Sequence, residues 1–189
     1  MARHEALSGA LSGDNSDLKA LIRTIPDFPT QGIQFRDITT LLLDAEGFAL
    51  TIERMTAMVD GPIDAVAAIE ARGFVFGAAI AREIGAGIVL VRKRGKLPGG
   101  TVSVDYALEY GSDSLEMHDD AIPQGARVLV VDDLIATGGT VLAAVKLLRG
   151  AGAEVGQSLF VIDLPDLGGS AKLREAGVSS DSLFEFEGD

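Results

Sequence analysis

The feature that most constrains this chain is an alternation of short apolar runs with helical stretches closed by glycine. DAVAAIEA (64 to 71) reads as a strand, FVFGAAIAREIG (74 to 85) as a helix stopped by Gly85, and GIVLVRK (87 to 93) as a second strand. RVLVVDD (127 to 133) is a further strand, TVLAAVKLLRGAG (140 to 152) a helix ended by Gly150 and Gly152, and EVGQSLFVIDL (154 to 164) a strand closed by Pro165. Apolar strands alternating with helices indicate βαβ units and a parallel sheet covered on both faces. The expected class is therefore α/β, with a central, mostly parallel sheet flanked by helices. In such sheets ligands bind beyond the carboxyl ends of the strands. Those ends carry EARG, RKRGK and DDLIATGGT, so three informative motifs are expected along one edge.

The rest of the chain decorates this unit. Residues 1 to 15 are small and polar and read as a loose, disordered tail, followed by one domain over 16 to 189. Ser16 is placed to cap a short helix, DLKALIRTI (17 to 25), that stops before Pro26. Pro26, Pro29 and Gly32 make the next stretch an ordered loop. A helix fits 46 to 59, where Phe48, Ile52, Met55 and Val59 recur at helical intervals. TVSVDYALEY alternates apolar residues, GSDS offers a turn, and LEMHD alternates again. That is the pattern of a hairpin or long flap projecting from the sheet. The pattern assigns elements only as far as Pro165.

Composition removes several classes. A hydrophobic content of 47% excludes a disordered chain, and the lack of cysteine excludes disulfides and thiolate chemistry. No apolar run approaches the roughly 18 residues of a membrane span, and the N-terminus lacks the apolar core of a secretory signal. A cytoplasmic protein without a membrane partner is expected. The net charge of −12 should repel nucleic acid unless basic residues cluster. They cluster once, as Arg92, Lys93, Arg94 and Lys96 in RKRGK, and alone that reads equally as a solvated charge run.

VLVVDDLIATGGT (128 to 140) ends an apolar strand on two acids and turns through Ala136, Thr137, Gly138, Gly139 and Thr140. A Gly-containing loop entering a helix is an anion site: backbone N–H groups converge there and the helix dipole favours negative charge. The loop is neither a Walker A motif nor G-x-G-x-x-G. Asp132 and Asp133 must therefore serve something other than phosphate, such as sugar hydroxyls or a hydrated Mg²⁺. A ribose 5-phosphate satisfies both halves. The bland alternative is a solvated turn with an Asp helix cap.

This segment resembles the phosphoribosyl-diphosphate motif of the type I phosphoribosyltransferases. FPTQGIQFRDIT, EARGFVFG, RKRGKLPG and LEYG extend the resemblance, in order, to the adenine phosphoribosyltransferases, over about residues 18 to 165. The resemblance implies that fold with a small N-terminal hood (about 24 to 43) and a flexible hairpin flap (about 95 to 120). It implies Mg²⁺ as cofactor, held indirectly through the substrate or by Asp132 and Asp133. It also implies a homodimer in which part of RKRGK reaches the neighbouring site. The substrates implied are adenine and 5-phosphoribosyl 1-diphosphate; a relative using xanthine, hypoxanthine or orotate, or a non-catalytic sensor of the same fold, stays open.

Site roles follow from the same resemblance. Asp132, Asp133 and Ala136 to Thr140 would bind the ribose phosphate. Ala71, Arg72 and Gly73, with Arg92, Lys93 and Lys96, would bind the diphosphate, and a non-proline cis peptide is expected at Glu70-Ala71. Many relatives carry Ser at Ala71, which leaves only backbone contacts there. Gln34, Phe35 and Arg36 would hold adenine, Phe35 stacking and the flanking backbone reading the base edge. Glu109 would be the acid/base for the purine, with Tyr110 packing over it. Without the resemblance, Phe35 reads as a core residue, Glu109 as a solvent-facing strand residue, and Arg72 as a surface partner of Glu70 or Glu83. His4 and His118 have no spacing that suggests a metal site.

Overall fold

The structure is a computed structural model that describes residues 15–107 and 112–188. The tail expected over 1–15 therefore lies, but for Asn15, outside the described residues. A helical turn, α1 (Ser16–Lys19), leads into β1 (Arg23–Pro26), which pairs antiparallel with β2 (Gln34–Asp37). Then come α2 (Thr39–Leu43), α3 (Ala45–Ala57), β3 (Ala65–Ile69), α4 (Gly73–Ile84) and β4 (Gly87–Lys93). A hairpin, β5 (Thr101–Ala107) and β6 (Ser112–His118), precedes β7 (Arg127–Ile135), α5 (Gly139–Gly150) and β8 (Glu154–Asp163). A 3-10 turn (Pro165–Leu167), α6 (Gly169–Glu175) and β9 (Ser179–Glu185) complete the described chain. No described helix is long and apolar enough to cross a membrane.

Seven strands form one sheet in the order β5-β6-β4-β3-β7-β8-β9. The pairs β4-β3, β3-β7, β7-β8 and β8-β9 are parallel, and β6 is antiparallel to both of its neighbours. Strand alternation sorts the apolar residues onto two faces. Ala65, Ala67, Val128 and Val130 pack with Val141, Ala144, Val145 and Leu148 of α5. Val66, Leu129 and Val131 pack with Phe76 and Ile80 of α4 and Met55 of α3. The α3 helix starts at Asp44, whose Oδ1 accepts from Gly47 N at 2.7 Å. Both faces are covered, which is why these strands read as continuous apolar runs rather than as alternations.

Three expectations change. The helix expected over 17–25 ends at Lys19, and Arg23–Pro26 is a strand. Ile25 precedes Pro26, which biases it away from helical ψ, and proline is tolerated in a ribbon with a free edge. Pairing then wins: Arg23 faces Asp37 in register, and Arg23 Nη2 lies 2.5 Å from Asp37 Oδ2. The hairpin does not project free of the sheet but extends it, with Arg92 and Lys93 opposite Glu116 and Leu115. Leu115 and Met117 are buried in the same core as Val89 and Val91, which holds the hairpin down. Finally, β7 runs on to Ile135, because Leu134 and Ile135 pair with Ile162 and Asp163 of β8. The strand expected to end at Asp133 is thus two residues longer, and the turn begins after Ile135.

Phe76 has no exposed surface and bridges α4 to the sheet. Phe76→Ala should cost about 3–5 kcal/mol, whereas Asp44→Ala, which removes one cap bond, should cost about 1 kcal/mol. Denaturant unfolding of the two variants checks the contrast.

Candidate active site

The parallel strands β3, β4 and β7 deliver their carboxyl ends to one cleft of about 510 Å³. The β7–α5 connection lines it with Asp132, Asp133 and Ala136 through Thr140, and the β3–α4 turn with Glu70, Ala71 and Arg72. Lys93 comes from β4, and Tyr106 and Asp113 from the hairpin. The Glu70-Ala71 peptide is cis.

The acid pair is held differently on its two members. Asp132 Oδ1 accepts from Asp133 N at 2.9 Å. Gly73, the first residue of α4, touches it so closely that a Cβ there would lie 2.9 Å from Asp132 Oδ1 and from Val131 O. Burial, and then the neighbouring Asp133, push the Asp132 carboxyl well above its ordinary pKa, while Arg72 pulls the other way. Asp133 is 5% exposed, and its Oδ2 lies 2.5 Å from Arg72 Nε. That contact is ionic without hydrogen-bond alignment, since Asp133 Oδ2 is buried and has no hydrogen-bond partner. Arg72 compensates the charge of that oxygen, which has no aligned donor among the described residues. Arg72 thus pairs with Asp133 instead of Glu70 or Glu83.

The anion loop is built from two segments. Gly138 takes a φ of 82° and caps α5, so the first N–H groups of a twelve-residue helix face the cleft. Behind it stands the turn into α6. Gly169 N donates to Ala136 O at 2.9 Å, and a Cβ on Gly169 would overlap that carbonyl oxygen. Lys172 of α6 donates from Nζ to Thr137 O at 2.9 Å, bringing a cation to the back of the loop. In front, Thr140 Oγ1 approaches Tyr106 Oη at 3.5 Å.

The basic segment is partly neutralised by acids. Glu70 accepts from Arg92 Nη2 at 2.9 Å and from Lys93 N at 3.1 Å, and Arg92 first, then the Lys93 N–H, hold its pKa down. Arg92 Nη1 also donates to Lys96 O at 2.8 Å. Lys93 Nζ lies 3.0 Å from Asp113 Oδ2. Glu116, 4% exposed, accepts from Lys96 N at 2.8 Å and Leu97 N at 2.9 Å and so pins the loop from below. Lys93 lines the cleft, while Arg92 and Lys96 lie outside its lining. The Arg94 and Lys96 side chains are exposed and have no ion pair among the described residues.

The β1–β2 ribbon stands over the Arg72 side. Phe35 is half-buried, packs edge-on against Phe28 at 5.2 Å between centroids, and lies 5.6 Å from Arg72 Cζ. The flanking Gln34 and Arg36 pair across the ribbon with Pro26 and Thr24. Glu109 and Tyr110 lie outside the described residues. The described residues contain no group of three or more His, Cys, Asp or Glu able to hold a metal. Sequence reasoning missed Glu70, Tyr106, Asp113, Gly169 and Lys172 as neighbours of the site. Glu70 stands in the EARG motif but was given no role, and the other four are brought there by tertiary packing with no local motif to mark them.

Two outcomes follow. The folded protein retains the Asp132 proton to higher pH than the unfolded chain does. Ionising Asp132 therefore weakens the fold as pH rises above the ordinary carboxylate range of about 4. Asp132→Asn should raise the melting temperature of the ligand-free protein near pH 8, and this gain should fade toward about pH 4. Gly169→Ala should cost about 1–3 kcal/mol by overpacking the loop, read by denaturant unfolding, and should weaken binding of inorganic phosphate.

Comparison with known proteins fits this geometry. Residues 37–172 match the phosphoribosyl transferase domain. An adenine phosphoribosyltransferase of Erythrobacter litoralis is 60% identical over 174 residues, covering 91% of this chain and 97% of that protein. The crystal structure of an adenine phosphoribosyltransferase from Thermoanaerobacter pseudethanolicus superposes with a TM-score of 0.87 at 48% identity, covering 92% of this chain and all of that one (100%). That of the Saccharomyces cerevisiae enzyme, complexed with adenine and an imino-altritol bisphosphate, gives 0.83 at 37% identity, covering 89% and 97%. With a central acid pair, a glycine loop at a helix start and this sheet order, the chain belongs to the phosphoribosyl transferase domain family.

Proposed function

We propose that the protein transfers the 5-phosphoribosyl group of 5-phosphoribosyl 1-diphosphate to adenine, releasing AMP and diphosphate, a purine-salvage reaction. The observation that carries this reading is the Asp132–Asp133 pair in the same cleft as the glycine loop at the start of α5, a match to a ligand with hydroxyls at one end and phosphate at the other. The relatives named for adenine transfer supply the base.

The C1–diphosphate bond breaks, a bond from C1 to the purine nitrogen forms, and that nitrogen loses its proton. Ala136 through Thr140 hold the 5-phosphate with backbone N–H groups and hydroxyls. Asp132 and Asp133 accept from the ribose hydroxyls and place negative charge beside a C1 that develops cationic character. Ala71 and Gly73 offer backbone groups to the diphosphate, and Arg72 and Lys93 meet its charge from two sides of the cleft. Arg92 and Lys96 act less directly: Arg92 is committed to Glu70 and the Lys96 carbonyl, and the free Lys96 and Arg94 side chains suit a neighbouring subunit's site. Mg²⁺ needs only one or two carboxylates when phosphate and water complete its shell, and the Asp132–Asp133 pair fits that donor set. When bound, the ion neutralises the leaving diphosphate.

Phe35 stacks on adenine, and the backbone at Gln34 and Arg36 reads its edge. Glu109 acts as the acid/base for the purine proton, with Tyr110 packing over the site. The homodimer reading draws support from Val75, Ile88 and Leu90, each at least 40% exposed beside α4. A cytoplasmic location agrees with a cysteine-free chain.

Diphosphate release measured with adenine, hypoxanthine, xanthine and orotate, with and without Mg²⁺, should show adenine-dependent, Mg²⁺-dependent turnover. Preference for another base sinks the adenine reading. Glu109→Gln should lower kcat about a hundredfold or more while leaving phosphoribosyl-diphosphate binding nearly unchanged. Unaltered turnover would remove Glu109 from its role.

A further inference from the structure

A two-stranded ribbon is marginal by itself in water, so the position of β1–β2 over the cleft depends on what ties it down. Inside the ribbon, Arg23 pairs with Asp37, and Arg23 first, then the Thr39 N–H, hold that carboxyl down to about 2. These bonds shape the ribbon but do not attach it. Its roots are held by Ile22 and Ile38 in the core, and along its length the attachment comes from the far end of the chain. Side chains alternate along β2, so Phe35 and Arg36 leave opposite faces. Phe35 lies beside Arg72, while Arg36 reaches the C-terminal segment.

Arg36 Nη1 donates to Thr24 Oγ1 at 2.7 Å and Nη2 to Glu187 O at 3.2 Å, and its Cζ lies 4.6 Å from the Phe186 ring centroid. Its Nε is buried with no hydrogen-bond partner, so the guanidinium depends on these contacts. Lys19 converges on the same ring, with Nζ 4.4 Å from the centroid and 2.5 Å from Glu185 O. The ring is itself fixed to the sheet: Phe186 N donates to Asp163 O at 3.0 Å, and Gly188 N to Asp166 Oδ2 at 2.9 Å. Asp163 is the register partner of Ile135, the last residue of the strand that carries the acid pair. A continuous path therefore links the ribose end of the cleft to the back of the strand in front of it.

We propose that Phe186, with the main chain of Glu187, is a positioning residue for the base: it clamps Arg36 and so sets the height and rotation of β2, which turns Phe35 toward the cleft. This rests on the reading that Phe35 and the β2 backbone hold adenine. Removing the ring leaves two cations without their aromatic face and loosens the outer part of the ribbon, while its roots at Ile22 and Ile38 and the strand ends proposed to hold ribose and phosphate stay in place.

The test is steady-state kinetics with each substrate varied, on Phe186→Ala, Phe186→Leu, Phe186→Tyr and Phe35→Ala. Loss of two cation–π contacts predicts a rise of about tenfold in the KM for adenine for Phe186→Ala. The KM for phosphoribosyl diphosphate and kcat should stay within about twofold, and Phe186→Tyr, which keeps the aromatic face, should behave as the parent. Should Phe186→Ala fail to fold, Phe186→Leu keeps apolar bulk without the π face and must show the same split. The proposal is overturned if Phe35→Ala weakens adenine while the Phe186 variants do not, or if both KM values rise together. If Phe35→Ala leaves the KM for adenine unchanged, the base reading itself fails, and the clamp with it.

Discussion

Two carboxylates at the end of one buried strand are the constraint around which this structure is arranged. β7 lies inside the sheet between β3 and β8, and its last residues carry Asp132 and Asp133 in sequence, so alternation points them to different surroundings. One has its proton affinity raised by burial and by its neighbour, and the other meets Arg72 across the cleft. Neither arrangement is relaxed: like charges repel, and the Asp133 oxygen that meets Arg72 has no aligned hydrogen-bond donor among the described residues. Gly73 is required because α4 must start directly against Asp132. The strand end gives up stability here, the usual relation between strain and function where a cleft is built around buried charge.

Charge is distributed with the same economy. A chain with net charge −12 must attract a polyanion locally, and it concentrates cations where β4 leaves the sheet. Glu70, Asp113 and Glu116 then fix that segment, through Arg92, Lys93 and the 96–97 backbone respectively. The acids cost some positive potential but hold a Gly-containing turn in one shape. Lys93 is left lining the cleft, and Arg94 and Lys96 are left facing solvent.

The elements that were easiest to read are those whose residues report their own surroundings. β3, β7 and β8 are buried on both faces, and their runs of Val, Ile, Leu and Ala leave no other reading. The anion loop was legible because a helix start, two threonines and paired glycines are local chemistry. The first helix was misjudged because Arg23–Pro26 takes its strand form from pairing with Gln34–Asp37, which local propensity does not contain. The hairpin pattern was correctly read as two strands, but its attachment was not. Whether Leu115 and Met117 meet Val89 and Val91 depends on sheet order.

By itself, the sequence determined the α/β class, the edge of the sheet where three motifs meet in one cleft, and the acid–glycine constellation read as a ribose-phosphate site. Each is encoded within a dozen neighbouring residues, where periodicity and turn chemistry act. Tertiary structure alone decided that Arg72 faces Asp133, that Gly169 and Lys172 back the anion loop, and that Phe186 holds Arg36. Those contacts join segments from opposite parts of the chain. Long-range pairing is selected by the packing of the whole sheet and its helices, so no local pattern could have announced it.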